Sequence, residues 1–357
     1  MIRYRGTLGE GLPGHSTEDT GMHKRKIGRV SRTRRTALLA SIIGALGISL
    51  AGASFAAASW PTRTVTLVVP FSAGGTTDIV ARLLAQKLTG LWGESVVVDD
   101  RPGAGGNIGS AIVAKAAPDG YTILVPSGSV LTVNPHLYRD MGFDVKKDLA
   151  AVTNVATGPM VVVVNPKVPA QTLQELVALA KAQPGTLNFG SAGQGSQVHM
   201  AGERFASAAG IQITHVPYKG ESLAYNDLVG GQIQVVVGNI AAASAFVNGG
   251  QLRALAVTSK ERSKMLPNVP TAGESGLSGL EMTGWFGLMV PAGTPKDVID
   301  RIYADVASVL KDPDMQSKLA AQGMTPVAST PEQFTRQIAD ELQQWGTIVK
   351  TRNLQVH

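Results

Sequence analysis

Val68-Val69-Pro70-Phe71-Ser72-Ala73-Gly74-Gly75-Thr76-Thr77-Asp78 decides how this chain of 357 residues is to be read. Ahead of it, residues 64–69 form a β-branched run closed by Pro70. Behind it, Ile79, Leu83, Leu84 and Leu88 recur at helical spacing. The order is strand, tight turn, helix N-terminus. Glycines let a backbone come close to a ligand. The unpaired N–H groups of a first helical turn carry partial positive charge, which suits a carboxylate or a phosphate. The same idea returns in Asn188-Phe189-Gly190-Ser191-Ala192-Gly193-Gln194-Gly195-Ser196, followed by Val198 and Phe205 at helical spacing. Two such turns, one in each half of a chain with no evident catalytic group, point to a clamp for a small acid.

Around these turns the apolar patterns alternate. Residues 95–98 and 121–125 read as further strands, with helices over 78–91 and 107–117. Strands at 160–165, 187–189, 213–216 and 233–237 follow, interleaved with helices at 173–182, 197–209 and 222–229. Such alternation predicts an α/β fold with largely parallel sheets, whose ligands sit at the carboxyl ends of strands. From residue 297 onward the chain reads as helical, with Ile299, Ile302, Tyr303, Val306 and Val309 on one face. That stretch has too few strands for a sheet of its own, so it is expected to pack back onto the first domain. The chain then crosses between domains twice, near 156–160 and 282–288. Gly158-Pro159 and Gly284-Trp285-Phe286-Gly287 supply breaks suited to a hinge. The expected lobes are 59–157 plus 285–357, and 158–284.

Residues 1–58 read as an export signal. Lys24, Arg25, Lys26, Arg29, Arg32, Arg34 and Arg35 precede an apolar stretch over 37–58, and Ala56-Ala57-Ala58 supplies small residues for cleavage before Ser59. Met22 is an alternative start, and Arg34-Arg35 leaves both general and twin-arginine export open. An uncleaved anchor is the competing reading, since the stretch is just long enough to span a bilayer; its Ala, Gly and Ser content favours cleavage. The absence of cysteine excludes disulfides and is compatible with a periplasmic location. The chain holds 32 basic and 26 acidic residues, of which 9 and 3 fall in residues 1–58. The remainder is therefore balanced in charge. With aromatic residues at 5%, nothing supports a nucleic-acid partner.

Further motifs, quoted from this chain, carry a family likeness. Trp60-Pro61, VVPFSAGGTTDIVAR (68–82), VVVDDRPGAGGNIG (96–109) and PDGYTILV (118–125) come first. VNPHLY (133–138), NFGSAGQGSQVHM (188–200), HVPYKG (215–220) and DLVGGQI (227–233) complete the set. The chain resembles the Bug-type extracytoplasmic solute receptors of tripartite tricarboxylate transporters over nearly all of residues 59–357. The resemblance implies a two-lobed periplasmic-binding-protein fold of the Venus flytrap, type II-like kind, with the ligand cleft between lobes. It implies a small organic carboxylate as ligand and a membrane permease as partner; a monomer without cofactor or metal is expected beside it. The implied ligand contacts of the first turn are Phe71, Ser72, Ala73, Gly74, Gly75, Thr76, Thr77 and Asp78. Those of the second are Ser191, Ala192, Gly193, Gln194, Gly195 and Ser196. Asp227 matches the acidic position of the DLVGGQI stretch.

Several of these residues admit a plainer role. Asp78 suits the dipole of its helix, although it could also meet a ligand ammonium. Thr76 and Thr77 could cap the helix or donate to a bound oxygen. Ser127 and Ser129 follow a strand end and are candidate contacts. His199 either bonds the second loop or reaches the ligand. Lys219 either lends charge to the cleft or lies on the surface. Trp285 and Phe286 either pack or wall an apolar ligand. The run Gly103-Ala104-Gly105-Gly106-Asn107-Ile108-Gly109 lacks the GxGxxG spacing, so a turn at the cleft entrance is preferred to a nucleotide loop. His136, His199, His215 and His357 stand apart in sequence, without an HExxH, and suggest no metal site. No GxSxG elbow is present. An exported α/β enzyme acting on a carboxylate, or a receptor signalling to a membrane partner, are the alternatives to transport.

Overall fold

The computed structural model describes residues 60–352, so the expected export signal and His357 lie outside the described residues. The first turn stands where its sequence pattern puts it. Strand β1 (Val65–Val69) is buried and leads through the turn into helix α1 (Thr76–Trp92). Strand β2 (Val96–Asp100), helix α2 (Asn107–Ala114) and strand β3 (Thr122–Leu124) follow. Both β2 and β3 pair in parallel with β1.

Strand β4 (Leu149–Val164) joins the two parts of the fold. Its first part, from Leu149 to Pro159, lies antiparallel to strand β9 (Thr283–Pro291). Its last five residues, Met160 to Val164, pair instead with strands β7 (Val235–Asn239) and β8 (Arg253–Val257). Those five residues are wholly buried, as expected for a strand covered on both faces. Helix α3 (Leu173–Ala182), strand β5 (Asn188–Ser191), helix α4 (Gln197–Ala209), strand β6 (Thr214–Pro217), helix α5 (Glu221–Gly230) and helix α6 (Ile240–Asn248) build the second part. Strand β5 lies parallel to both β6 and β7. The continuous sheet runs β2-β1-β3-β9-β4-β7-β5-β6. It is mixed rather than largely parallel, because β4 and β9 run against their neighbours. The segments read as pattern breaks at 156–160 and 282–288 are a pair of long strands hydrogen-bonded to one another.

The C-terminal helices α7 (Lys296–Lys311), α8 (Pro313–Ala320) and α9 (Pro331–Arg352) return to the first part. Helix α7 buries Ile302, Val306 and Val309, the stripe read from sequence. Each fully buried aliphatic side chain there contributes about 1.5–3 kcal/mol relative to exposure. Trp92 Nε1 donates to Asp305 at 2.7 Å, and Lys87 pairs with Asp312 at 2.6 Å, tying α1 to α7 and α8. Strand β10 (Thr325–Pro326) adds a short edge to β4. Among the described residues no helix is long and apolar enough to cross a membrane.

Candidate ligand-binding site

The carboxyl ends of β1, β3, β5, β6 and β7 converge on one small cavity of about 20 Å³. Phe71, Gly75, Thr76 and Thr77 come from the β1 turn and α1; Ser127 follows β3. Ala192, Ser196, Gln197 and Val198 come from the β5 turn and α4. Glu221 opens α5, Asn239 ends β7, and Phe286 of β9 forms an apolar wall. Such a volume admits roughly a single water, so the two sides of the cleft are in contact.

The first turn is held from both directions. Gly74 adopts φ +80, the left-handed conformation in which a side chain is strained. Gly75 is the N-cap of α1 at φ −80, so its requirement is closeness rather than conformation. A Cβ added there would lie 3.3 Å from Glu221 Cγ. No side chain of the turn caps α1. Instead Glu221, only 4% exposed, accepts from Thr76 N through Oε1 at 2.6 Å. Its Oε2 accepts from Asn239 Nδ2 at 2.9 Å. Asn239 Oδ1 in turn accepts from Gln197 Nε2 at 3.2 Å, and Gln197 Oε1 accepts from the Trp285 amide at 3.3 Å. A continuous set of hydrogen bonds therefore runs from the tip of α1 to strand β9. Thr76 Oγ1 is buried without a partner.

Asp78 faces its own helix. Its Oδ2 accepts from Gly74 N at 2.8 Å, and its Oδ1 pairs with Arg82 at 2.7 Å. Arg82 also reaches Asp100 at 3.2 Å. Burial, followed by the nearby Asp78, holds the Asp100 carboxyl above its ordinary range. Ser72 and Ala73 meet the β6–α5 loop and the first turn of α5 instead of the cavity. Ser72 N donates to Lys219 O at 3.2 Å, and Ser222 Oγ donates to Ala73 O at 2.8 Å. Gly220 permits this approach, because a Cβ there would lie 2.7 Å from Ser72 N.

The second turn is closed on itself. Ser196 caps α4, its hydroxyl accepting from His199 N at 3.2 Å. His199 Nδ1 accepts from Gly195 N at 3.1 Å. Ser191 Oγ accepts from Gly193 N at 3.0 Å and lies 2.6 Å from His215 Nε2. Ser191 is fully buried and does not line the inner cavity. His199 and His215, apart in sequence, stack with ring centroids 4.0 Å apart. Burial, and then the neighbouring His199, hold His215 down to about 3. Among the described residues no group of His, Asp or Glu is arranged to hold a metal.

The remaining sequence candidates are scattered. Gly193 and Gln194 line the cleft mouth with Ala104 and Gly105. There Tyr138 OH donates to Gln194 O at 2.8 Å, and burial pushes that phenol up to about 12. Lys219 is exposed at the same mouth. Ser129 opens onto a separate cavity of about 450 Å³ behind Gln197, together with Trp285. Asp227 accepts from Tyr218 OH at 2.7 Å near the end of α5, away from the inner cavity. Burial, and then Asp227, push that phenol up to about 12. Glu221 and Asn239 fall outside every motif quoted from the sequence, and Gln197 falls inside NFGSAGQGSQVHM without being singled out. The only available signal was the position of Glu221 and Asn239 at strand ends, the same rule that singled out the two glycine turns.

Comparison with known proteins places this geometry in a class. The Tripartite tricarboxylate transporter family receptor (TctC) profile matches residues 80–354. Protein BugT of Bordetella pertussis is 38% identical over 322 residues, covering 90% of this chain and 98% of BugT. The structure of the periplasmic binding protein BugD superposes with a TM-score of 0.80 at 34% identity, covering 83% of this chain and 99% of that one. The R. palustris protein Rpa4515, solved with adipate, superposes with a TM-score of 0.79 at 36% identity, covering 82% and 98%. The chain belongs to the tripartite tricarboxylate transporter receptor family, and its fold is the two-lobed α/β fold of periplasmic binding proteins.

Proposed function

We propose that this protein captures a small organic carboxylate in the periplasm by closing two lobes over it, and presents the closed form to a membrane permease. The lobes are 59–157 plus 285–357, and 158–284. The change of β4 partners between Pro159 and Met160 supports that boundary. Family membership and the adipate carried by the related Rpa4515 support the ligand class. The single observation that carries the reading is that two helix N-termini, α1 from one lobe and α4 from the other, point at the same cavity. Gly75, Thr76, Thr77 and Ser127 on one side, with Ala192 and Ser196 on the other, are the contacts. Asp78, Ser191 and His199 hold the turns in shape.

In this structure the lobes meet around a cavity too small for an acid, so the ligand enters when the lobes part and holds them slightly further apart in the liganded closed form. Its contacts to both turns then favour closure. The mature protein is a monomer that begins at Ser59. Intact mass and light scattering of periplasmic material check both points. Thermal-shift and calorimetric titration of the mature protein against a carboxylate library that includes adipate tests the function. Binding of at least one acid with a rise in Tm is expected. No shift with any acid overturns the reading.

A further inference from the structure

The inner cavity has a charge that a plain acid does not match. Among the residues that line it, Glu221 alone carries an ionisable side chain, and no lysine, arginine or histidine accompanies it. Lys219 is at the mouth, and Arg82 is committed to Asp78 and Asp100. Glu221 already occupies the position at the α1 N-terminus where a ligand carboxylate would otherwise bind. A second carboxylate beside it would meet a like charge in a desolvated site with no cation to offset it. The α4 end is different: its turn lines the cavity and carries no acidic side chain there. The carboxylate of Glu221 uses one bond at Oε1 and two Asn239 donors at Oε2, which leaves acceptor capacity on Oε1. Thr76 Oγ1, 1% exposed and without a partner, adds a second unsatisfied polar atom at the same spot.

We propose that Glu221 is the specificity-determining residue of the cleft, and that it selects an organic acid that also bears an ammonium group. The ammonium lies against Glu221 and Thr76 Oγ1, and the ligand carboxylate lies at the α4 turn by Ala192 and Ser196. This rests on the carboxylate reading above and narrows it to amino acids. It also moves the ammonium-binding role, open to Asp78 on sequence grounds, to a residue of the opposite lobe.

The test uses the mature wild-type protein and pairs of acids of equal carbon number with and without the amino group. Aspartate and succinate, glutamate and glutarate, and 4-aminobutanoate and butanoate serve, measured by calorimetry at low ionic strength. At least one amino acid is expected to bind about tenfold or more tighter than its counterpart. Glu221→Gln keeps the shape and an acceptor for Thr76 N. It should remove that preference by weakening the amino acid about tenfold or more, while Glu221→Asp retains part of it. Tighter binding of the plain acids by the wild type overturns the inference and leaves the carboxylate reading standing. So does a Glu221→Gln variant that gains affinity for plain acids, which would make Glu221 an internal stand-in that the ligand displaces. Failure of every acid of both kinds overturns the inference and the carboxylate reading together. Should Glu221→Gln not fold, the wild-type pairs alone decide.

Discussion

The two glycine turns share a local pattern and are completed in different ways. The second is finished by its own residues: Ser196 caps α4, His199 holds Gly195, and Ser191 holds Gly193. The first has Asp78 to hold Gly74, but its helix has no cap of its own, and the Thr76 amide is met by Glu221 from across the cleft. A helix end without a local cap must find its partner elsewhere. On the proposed clamp reading, the second turn is a preformed surface, and the first is complete only when the lobes meet or a ligand bridges them. One lobe, on that reading, supplies a fixed jaw, and the other a jaw whose order depends on closure.

The largest test of this contrast is to keep both turns and prevent them from meeting. Gly220→Val should do so, because its Cβ would enter the space of Ser72. Its φ of 169 is extended backbone that valine adopts without strain. Affinity for a confirmed ligand should fall roughly a hundredfold, the loss of about 3 kcal/mol of second-lobe contacts. Scattering should show a more open particle while the Tm changes little. Wild-type affinity in this variant would mean that closure does not contribute.

Gly75→Val strikes only the first jaw. Its φ of −80 accepts valine, so any effect comes from crowding Glu221 Cγ and the approach to the cavity. A loss of about tenfold in affinity with a stability change under about 1 kcal/mol is expected, read by calorimetry and melting. Ser196→Ala strikes the second jaw and should do the reverse. Loss of the cap should cost about 1 kcal/mol and lower the Tm by about 2–4 °C, with affinity changed less than by Gly75→Val. Hydrogen exchange sharpens the same point: ligand should slow exchange at Thr76 far more than at Gly193 and Gly195, whose partners are already in place.

A smaller effect concerns the support behind the second jaw. His215 is neutral in the fold down to about pH 3, whereas the unfolded chain takes up its proton near the ordinary value of 6.5. Between those limits the unfolded state binds more protons, so stability is full above about pH 6.5 and declines as pH falls toward 3. The slope from one such group is at most about 1.4 kcal/mol per pH unit. His215→Gln should flatten the fall in Tm between pH 7 and 4.5 relative to the wild type. Equal slopes would show that this histidine is not what limits acid stability.

Much of the fold was legible along the chain. Helices predicted at 173–182 and 197–209 occupy those residues, and the turn before α1 has the strand and helix expected on either side. The stripe of α7 also faces inward as read. The first part of β4 was not legible, because its sequence has no alternation and buries Thr153 and Asn154. Their partners are distant in sequence: Thr153 Oγ1 donates to Ser329 O at 2.7 Å and Asn154 Nδ2 donates to Gln337 Oε1 at 3.1 Å, while Asn154 Oδ1 is buried without a partner. Strand β9 was hidden for a related reason. Gly284 and Gly287 read as breaks, yet both are needed for close packing, since a Cβ would lie 2.6 Å from Gln197 Cδ at the first and 2.8 Å from Phe334 Cε1 at the second.

Sequence by itself determined the alternating elements, the two glycine turns and their place at strand ends. Period, capping and turn chemistry act between residues a few positions apart, so they can be read from neighbours alone. Tertiary structure decided which residues complete the site. Asp78, beside the first turn in sequence, is bound to Arg82 and its own loop, while Glu221, 145 residues from Thr76, takes the helix end. No local pattern marks a carboxylate that reaches across a cleft, because its role comes from the packing that brings the two lobes together and from the burial that leaves it few other partners.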